Sequence, residues 1–142
     1  MNTNKTIKLH FSGLTESQKK GLNELSAQLG IITADDGIPV HAVKSDCIFV
    51  RKNGTVIELG YSRPNEFYRA LSQVRTVLDE DISVSEKSDF DMLCYMADMS
   101  RNAVYKIPSA KKMIRLLAVC GYDSMRLYTE DTYELYGYDY FG

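Results

Sequence analysis

The side chains that could do chemistry gather in two short polar clusters, Asp98-Met99-Ser100-Arg101-Asn102 and Thr129-Glu130-Asp131. Each closes a run that reads as a β-strand. The first run is the apolar stretch from Phe90 to Met99, with acids only at Asp91 and Asp98, and the second is Met125 to Thr129. In barrels and open sheets of parallel strands, ligands bind at the carboxyl edge, where such clusters would stand. Carboxylates and a guanidinium on one edge make a candidate site wall. Their other use is to cap the strands or to pair with one another. Residues 1–85 offer no phosphate loop, catalytic-triad spacing or ligand cluster.

The element between the two runs must bring their ends together. Met113, Leu116, Leu117 and Cys120 recur at i, i+3, i+4 and i+7, one face of a helix, while Lys111, Lys112 and Arg115 point elsewhere. Gly121 stands where that helix would stop. Strand, helix and strand in this order predict one βαβ unit with parallel strands and a right-handed crossover.

Upstream, the chain reads as a small α+β layer. Ile7, Leu9 and Phe11 alternate with Lys8 and His10, the pattern of a strand with one buried face. Thr15 and Gln18 have capping-box spacing and open a helix that buries Leu22, Leu25, Ala27 and Leu29 and ends at Gly30. Ile31 to Pro39 is expected to be loop, and Val40 to Val43 a short strand. Two β-rich runs flank Asn53-Gly54, which predicts a hairpin with that pair central in a type I′ turn. Arg63-Pro64-Asn65-Glu66 opens a second helix with Phe67, Ala70 or Leu71, Val74, Val77 and Leu78 on its apolar side. The sum is an open sheet with helices on one face. Asp79 to Asp89, polar and acidic, is the expected boundary between residues 1–85 and 86–142.

From Phe90 to Gly142 the sequence resembles the opening of the catalytic barrel of glycoside hydrolase family 20, the β-N-acetylhexosaminidases. The likeness rests on the strand-end Asp98-x-x-Arg101, the Pro108-led helix with its lysine pair, and the acidic pair Glu130-Asp131. SRNAV, LYTEDTYE and YFG strengthen it. Two departures stand out. Leu93 occupies the place where the family commonly has an arginine that grips a sugar hydroxyl, and Glu-Asp replaces the commoner Asp-Asp. The resemblance implies an α/β protein: an accessory α+β domain, then the first βαβ unit of a truncated TIM barrel, since a whole barrel takes about 250 residues. It implies a parent enzyme that removes terminal N-acetylhexosamine with retention, the substrate's own acetamido oxygen attacking the anomeric carbon. The catalytic Asp-Glu pair would lie on a later strand, so the chain as given is expected to be inactive and has no catalytic residue of its own. Glu130 and Asp131 are then expected to touch sugar, and Asp98 and Arg101 to form an ion-pair lattice at the strand ends. A non-catalytic carbohydrate-binding or structural α/β module is the alternative.

Composition narrows the partners. A net charge of −2 gives no reason to expect nucleic acid or an anionic membrane. No run approaches 18 apolar residues and the N-terminus lacks a signal-peptide core, so a cytoplasmic location is expected. Cys47, Cys94 and Cys120, without CxxC spacing, read as buried free thiols. His10 and His41 read as packed or surface residues. No cofactor or metal is expected. The partner expected is an N-acetylhexosamine-containing glycan, with self-association through the unfinished barrel edge. Tyr122, Tyr128, Tyr133, Tyr136, Tyr138 and Tyr140 crowd the C-terminal end, where rings could pack loops or stack on sugar, Tyr133 being the best placed.

Overall fold

The computed structural model describes residues 6–102, 104–130 and 134–139. Strand β1 (Ile7–Ser12) buries Leu9 fully and leaves Lys8 and His10 exposed, as its alternation requires. Helix α1 (Glu16–Leu29) starts at Thr15, whose Oγ1 accepts from the Gln18 N–H at 3.3 Å while Gln18 Oε1 accepts from the Thr15 N–H at 2.9 Å. The helix turns Leu22 and Leu25 inward, whereas Ala27 is exposed. At its far end Arg75 donates to the Gly30 carbonyl at 3.2 Å, satisfying a group the helix cannot bond itself.

Two strands appear where loop or boundary was expected. β2 (Ile31–Thr33) runs parallel to β1, pairing Ile31 with Ile7. β3 (Ile38–Lys44) is longer than Val40 to Val43 and pairs with the other side of β1. Gly37 makes that approach close: a Cβ there would lie 2.5 Å from the Leu9 carbonyl carbon and 2.6 Å from its nitrogen, backbone atoms that cannot swing aside. Gly37→Ala should therefore lower stability by about 2 kcal/mol, the penalty of overpacking, measured by urea unfolding.

β4 (Ile48–Asn53) and β5 (Val56–Tyr61) form the expected hairpin, one residue out of the expected turn register. Asn53 pairs with Val56, so Gly54 and Thr55 are the central residues. Only Gly54 takes positive φ, +62°. Glycine first with positive φ is the signature of a type II′ turn, so the type I′ expectation is corrected.

α2 (Pro64–Glu80) buries Phe67, Ala70, Leu71, Val74 and Val77, the face its periodicity predicts. Glu66, 6% exposed, accepts from the Ser62 N–H at 2.8 Å, the Arg63 N–H at 3.0 Å and Arg63 Nε at 3.1 Å. Burial pushes this carboxyl up, but the two backbone donors and the Arg63 guanidinium outweigh it and hold it below the ordinary value. Within the acidic segment lies β6 (Val84–Glu86), antiparallel to β4 and tied to α2 by Arg69, which donates to both Glu86 oxygens at 2.7 and 2.8 Å.

The six strands form one sheet in the order β2-β1-β3-β5-β4-β6. Its inner face and both helices share a single core built from Leu9, Val40, Val50, Ile57, Leu59 and Phe67 with their neighbours. The other face is polar, with Arg51 Nε donating to Glu58 at 2.6 Å.

β7 (Cys94–Asp98), α3 (Ile107–Val119) and β8 (Ser124–Tyr128) form the βαβ unit, its strands parallel. Phe90 to Leu93 are not strand, which corrects the start of the first run. Phe90 and Met92 are exposed, and β7 begins only after the Leu93 N–H donates to Asp123 Oδ2 at 2.7 Å. On α3 only Leu117 is buried; Leu116 and Cys120 are exposed. Two strands and α2 are too little cover for a full helical stripe, so the buried-face and buried-thiol expectations are corrected at these positions.

The unit docks on the first layer at the amino edge of its strands. Arg63 Nη1 lies 3.5 Å from Asp123 and donates to the Asp91 carbonyl, Asn65 Nδ2 donates to the Gly121 carbonyl at 2.7 Å, and Arg115 pairs with Glu24 at 2.6 Å. A groove of about 600 Å³ runs beside this contact, between Tyr61, Pro64 and Tyr68 on one side and Ile114, Leu117 and Met125 on the other.

Candidate functional site

The register of β7 and β8 puts both polar clusters on one edge. Cys94 pairs with Ser124, Met96 with Arg126 and Asp98 with Tyr128. The Met99 N–H donates to the Tyr128 carbonyl at 2.7 Å, so the ladder runs one residue past β7 before the chains part. Asp98 and Arg101 therefore leave this edge on one strand, and Glu130 leaves it on the next. The opposite edge is occupied by the docking contacts of Arg63 and Asp123. In barrels, this division places binding groups at the carboxyl edge and stabilising contacts at the amino edge.

Alternation decides which face each residue takes. Ala97 is 3% exposed and faces α3 with its register partner Leu127; Met96 and Asp98 face away, with Arg126 and Tyr128 beside them. The open face thus carries a carboxylate, a guanidinium and a phenol within two rungs of each other.

Asp98 is fixed locally. Its Oδ1 accepts from the Ser100 N–H at 2.8 Å and from Ser100 Oγ at 2.6 Å, and Arg101 Nε lies 4.0 Å from Oδ2. These bonds to Ser100, with Arg101 adding less, hold the Asp98 carboxyl below the usual aspartate value. Ser100 was not singled out from sequence. The signal for it was there, since an aspartate commonly bonds the backbone and hydroxyl two residues on. Behind this turn, the hydroxyls of Tyr95 and Tyr105 lie 3.1 Å apart and tether the loop after β7.

Glu130 is exposed and stands at φ +54°, a left-handed conformation uncommon for glutamate. Such backbone carries of the order of 1 kcal/mol of strain and concentrates at ligand-contacting positions. Asp131, Tyr133 and Tyr140 lie outside the described residues. Tyr136 and Tyr138 are exposed around a turn closed by the Tyr138 N–H to the Leu135 carbonyl, 3.0 Å.

No family model matches the sequence, and no curated protein matches it. Solved structures do. An exo-β-N-acetylglucosaminidase of family GH20 from Vibrio harveyi, solved in complex with N-acetylglucosamine, superposes on 89% of this chain with a TM-score of 0.63 and 16% identity. A GH20 β-N-acetylhexosaminidase from Streptomyces coelicolor A3(2) covers 92% with a TM-score of 0.58 and 11% identity. A GH138 enzyme targeting pectin rhamnogalacturonan II covers 87% with a TM-score of 0.54 and 9% identity. The chain spans 22%, 31% and 19% of these three, so it corresponds to a minor part of each. The fold is thus a mixed α/β one, a one-sided sheet layer followed by a βαβ unit, and it is shared with GH20 enzymes.

Proposed function

We propose that this chain is the front portion of a retaining β-N-acetylhexosaminidase that hydrolyses terminal N-acetylhexosamine with the help of the substrate's acetamido group. The observation that supports this reading most is that Asp98 and Glu130 leave the same carboxyl edge of a parallel pair, in a fold shared with enzymes of that activity. In this reading Glu130 and Asp131 accept hydrogen bonds from sugar hydroxyls. Asp98, Arg101 and Ser100 keep the neighbouring strand end in place. The proton donor and the acetamido-orienting aspartate belong to a later strand of the longer protein, outside these 142 residues.

The test uses an aryl β-N-acetylglucosaminide. Purified 142-residue chain should give no turnover, because nothing in it is assigned to protonate the leaving oxygen. The gene's full-length product should turn the substrate over, and Glu130→Gln should lower its kcat/KM by roughly 10- to 100-fold through the loss of charge-assisted bonds. A full-length protein inert towards N-acetylhexosaminides but active on other glycosides would refute the substrate, and turnover by the short chain that Glu130→Gln abolishes would refute the division of labour.

A further inference from the structure

Asn53-Gly54 serves the fold as part of a turn, yet the pair also carries a reaction of its own. Of the six asparagines in the sequence, Asn53 alone is followed by glycine. A backbone nitrogen can attack the side-chain carbonyl of the asparagine before it, and glycine, with no Cβ, leaves that approach unhindered. The hairpin tip keeps the reacting groups accessible. Asn53, Gly54 and Thr55 are all exposed, and a Cβ at Gly54 would meet nothing within 4 Å. Among the described residues no hydrogen bond holds the Asn53 side-chain amide or the Gly54 N–H. Asn65 is the contrast, since its Nδ2 donates to the Gly121 carbonyl at 2.7 Å.

The attack requires the Asn53 backbone to leave its extended geometry, so the Asn53–Val56 rung must open first. That rung is the last of the β4–β5 ladder, and the next one, Lys52 with Ile57, is anchored by a fully buried Ile57. Opening at such an exposed end costs far less than unfolding the sheet. We infer that Asn53 is a site of spontaneous modification by water, in which the side-chain amide is lost and aspartate or isoaspartate takes its place. The Gly54 nitrogen bonds to the Asn53 side-chain carbonyl carbon. The bond from that carbon to the side-chain nitrogen breaks, and the nitrogen leaves as ammonia with the Gly54 proton. Water then opens the cyclic imide at either carbonyl, and nothing is oxidised or reduced. Isoaspartate carries the main chain through the side chain and lengthens it at the turn, so this product loses the rung to Val56.

Purified chain is to be incubated at mildly alkaline pH and physiological temperature, in buffer and in urea, as wild type and Asn53→Gln. Peptide mapping by mass spectrometry follows each asparagine, and labelling with protein-L-isoaspartate methyltransferase counts isoaspartate. In buffer, the wild-type peptide holding Asn53 should lose its amide and gain isoaspartate while the peptide holding Asn65 keeps its amide. The aged chain should be retained longer on an anion exchanger, one charge more negative than the formal −2. Asn53→Gln, which would have to close a larger ring, should lose both the isoaspartate signal and the shift in retention. The Val56 amide should exchange hydrogen faster in the aged fraction than in fresh chain. Wild type that keeps the Asn53 amide in buffer overturns the inference, and loss in urea alone would show that the hairpin holds the reaction shut. Aspartate without isoaspartate overturns the imide route, and unchanged exchange at Val56 overturns the loss of the rung.

Discussion

Glu66→Ala should lower the unfolding free energy by about 3 kcal/mol at neutral pH, because it strands three donors at once. The Ser62 and Arg63 N–H groups at the start of α2 have no helical partner, and both donate to this carboxylate. Arg63 also loses the buried counter-charge that holds its guanidinium over Asp91 and Asp123. Removing one member of a buried, bonded charge pair typically costs about 3–5 kcal/mol, and the lower end fits here because Arg63 is 28% exposed. The pH dependence follows from the direction of the shift. A carboxyl whose folded value lies below its ordinary 4.5 gives stability that is complete above 4.5 and lost as pH falls through the lowered folded value. Urea unfolding of wild type and Glu66→Ala at neutral pH and below about pH 4 should therefore show a gap that narrows on acidification. A gap under about 0.5 kcal/mol at neutral pH, or one that does not change with pH, would show that water replaces the carboxylate.

The same residue explains what could be read from sequence and what could not. The Arg63-Pro64-Asn65-Glu66 signal and the apolar stripe of α2 depend on neighbours three and four residues apart, and they were legible. So were the Thr15 capping box and the βαβ order, which are local patterns of the same kind. β2 and β6 were not, since three-residue strands such as Ile31–Thr33 and Val84–Glu86 are held by pairing with β1 and β4 rather than by any pattern of their own. The hairpin was found but its turn slipped by one residue, because Asn53-Gly54 and Gly54-Thr55 are both acceptable central pairs and cross-strand packing chooses between them. Phe90 and Met92 misled because apolar composition does not say whether anything is there to cover it. At the site, the strand-end positions of Asp98 and Glu130 followed from order alone. The open-face placement of Arg126 needed the register of two strands whose paired residues lie 30 apart in sequence, which no local window contains.

The two-stranded sheet that carries Arg126 also governs how the isolated chain should behave. We propose that the 142-residue chain self-associates through β8, with a second copy as the occupant. Among the described residues the small sheet has two strands, β7 and β8, which leaves each with an outer edge that no strand covers. Next to that edge Leu127, Tyr128 and Met96 are 53%, 43% and 60% exposed, and α3 adds Ile114 and Leu116. Parallel strands want cover on both faces, and α3 supplies only one. A second copy offers a like edge for pairing and a like apolar patch for burial, the self-complementary contact that closes a two-fold dimer. Size-exclusion chromatography with light scattering should show a dimer that dissociates on dilution. Leu127→Lys puts a charge beside the edge, as natural edge strands do, and should raise the dissociation constant by more than about tenfold. Leu127 is exposed, so the first layer and its core should keep their stability in this variant. If the wild-type chain stays monomeric at high concentration while its 124–128 amides resist hydrogen exchange, the edge is already closed within one molecule and the proposal fails.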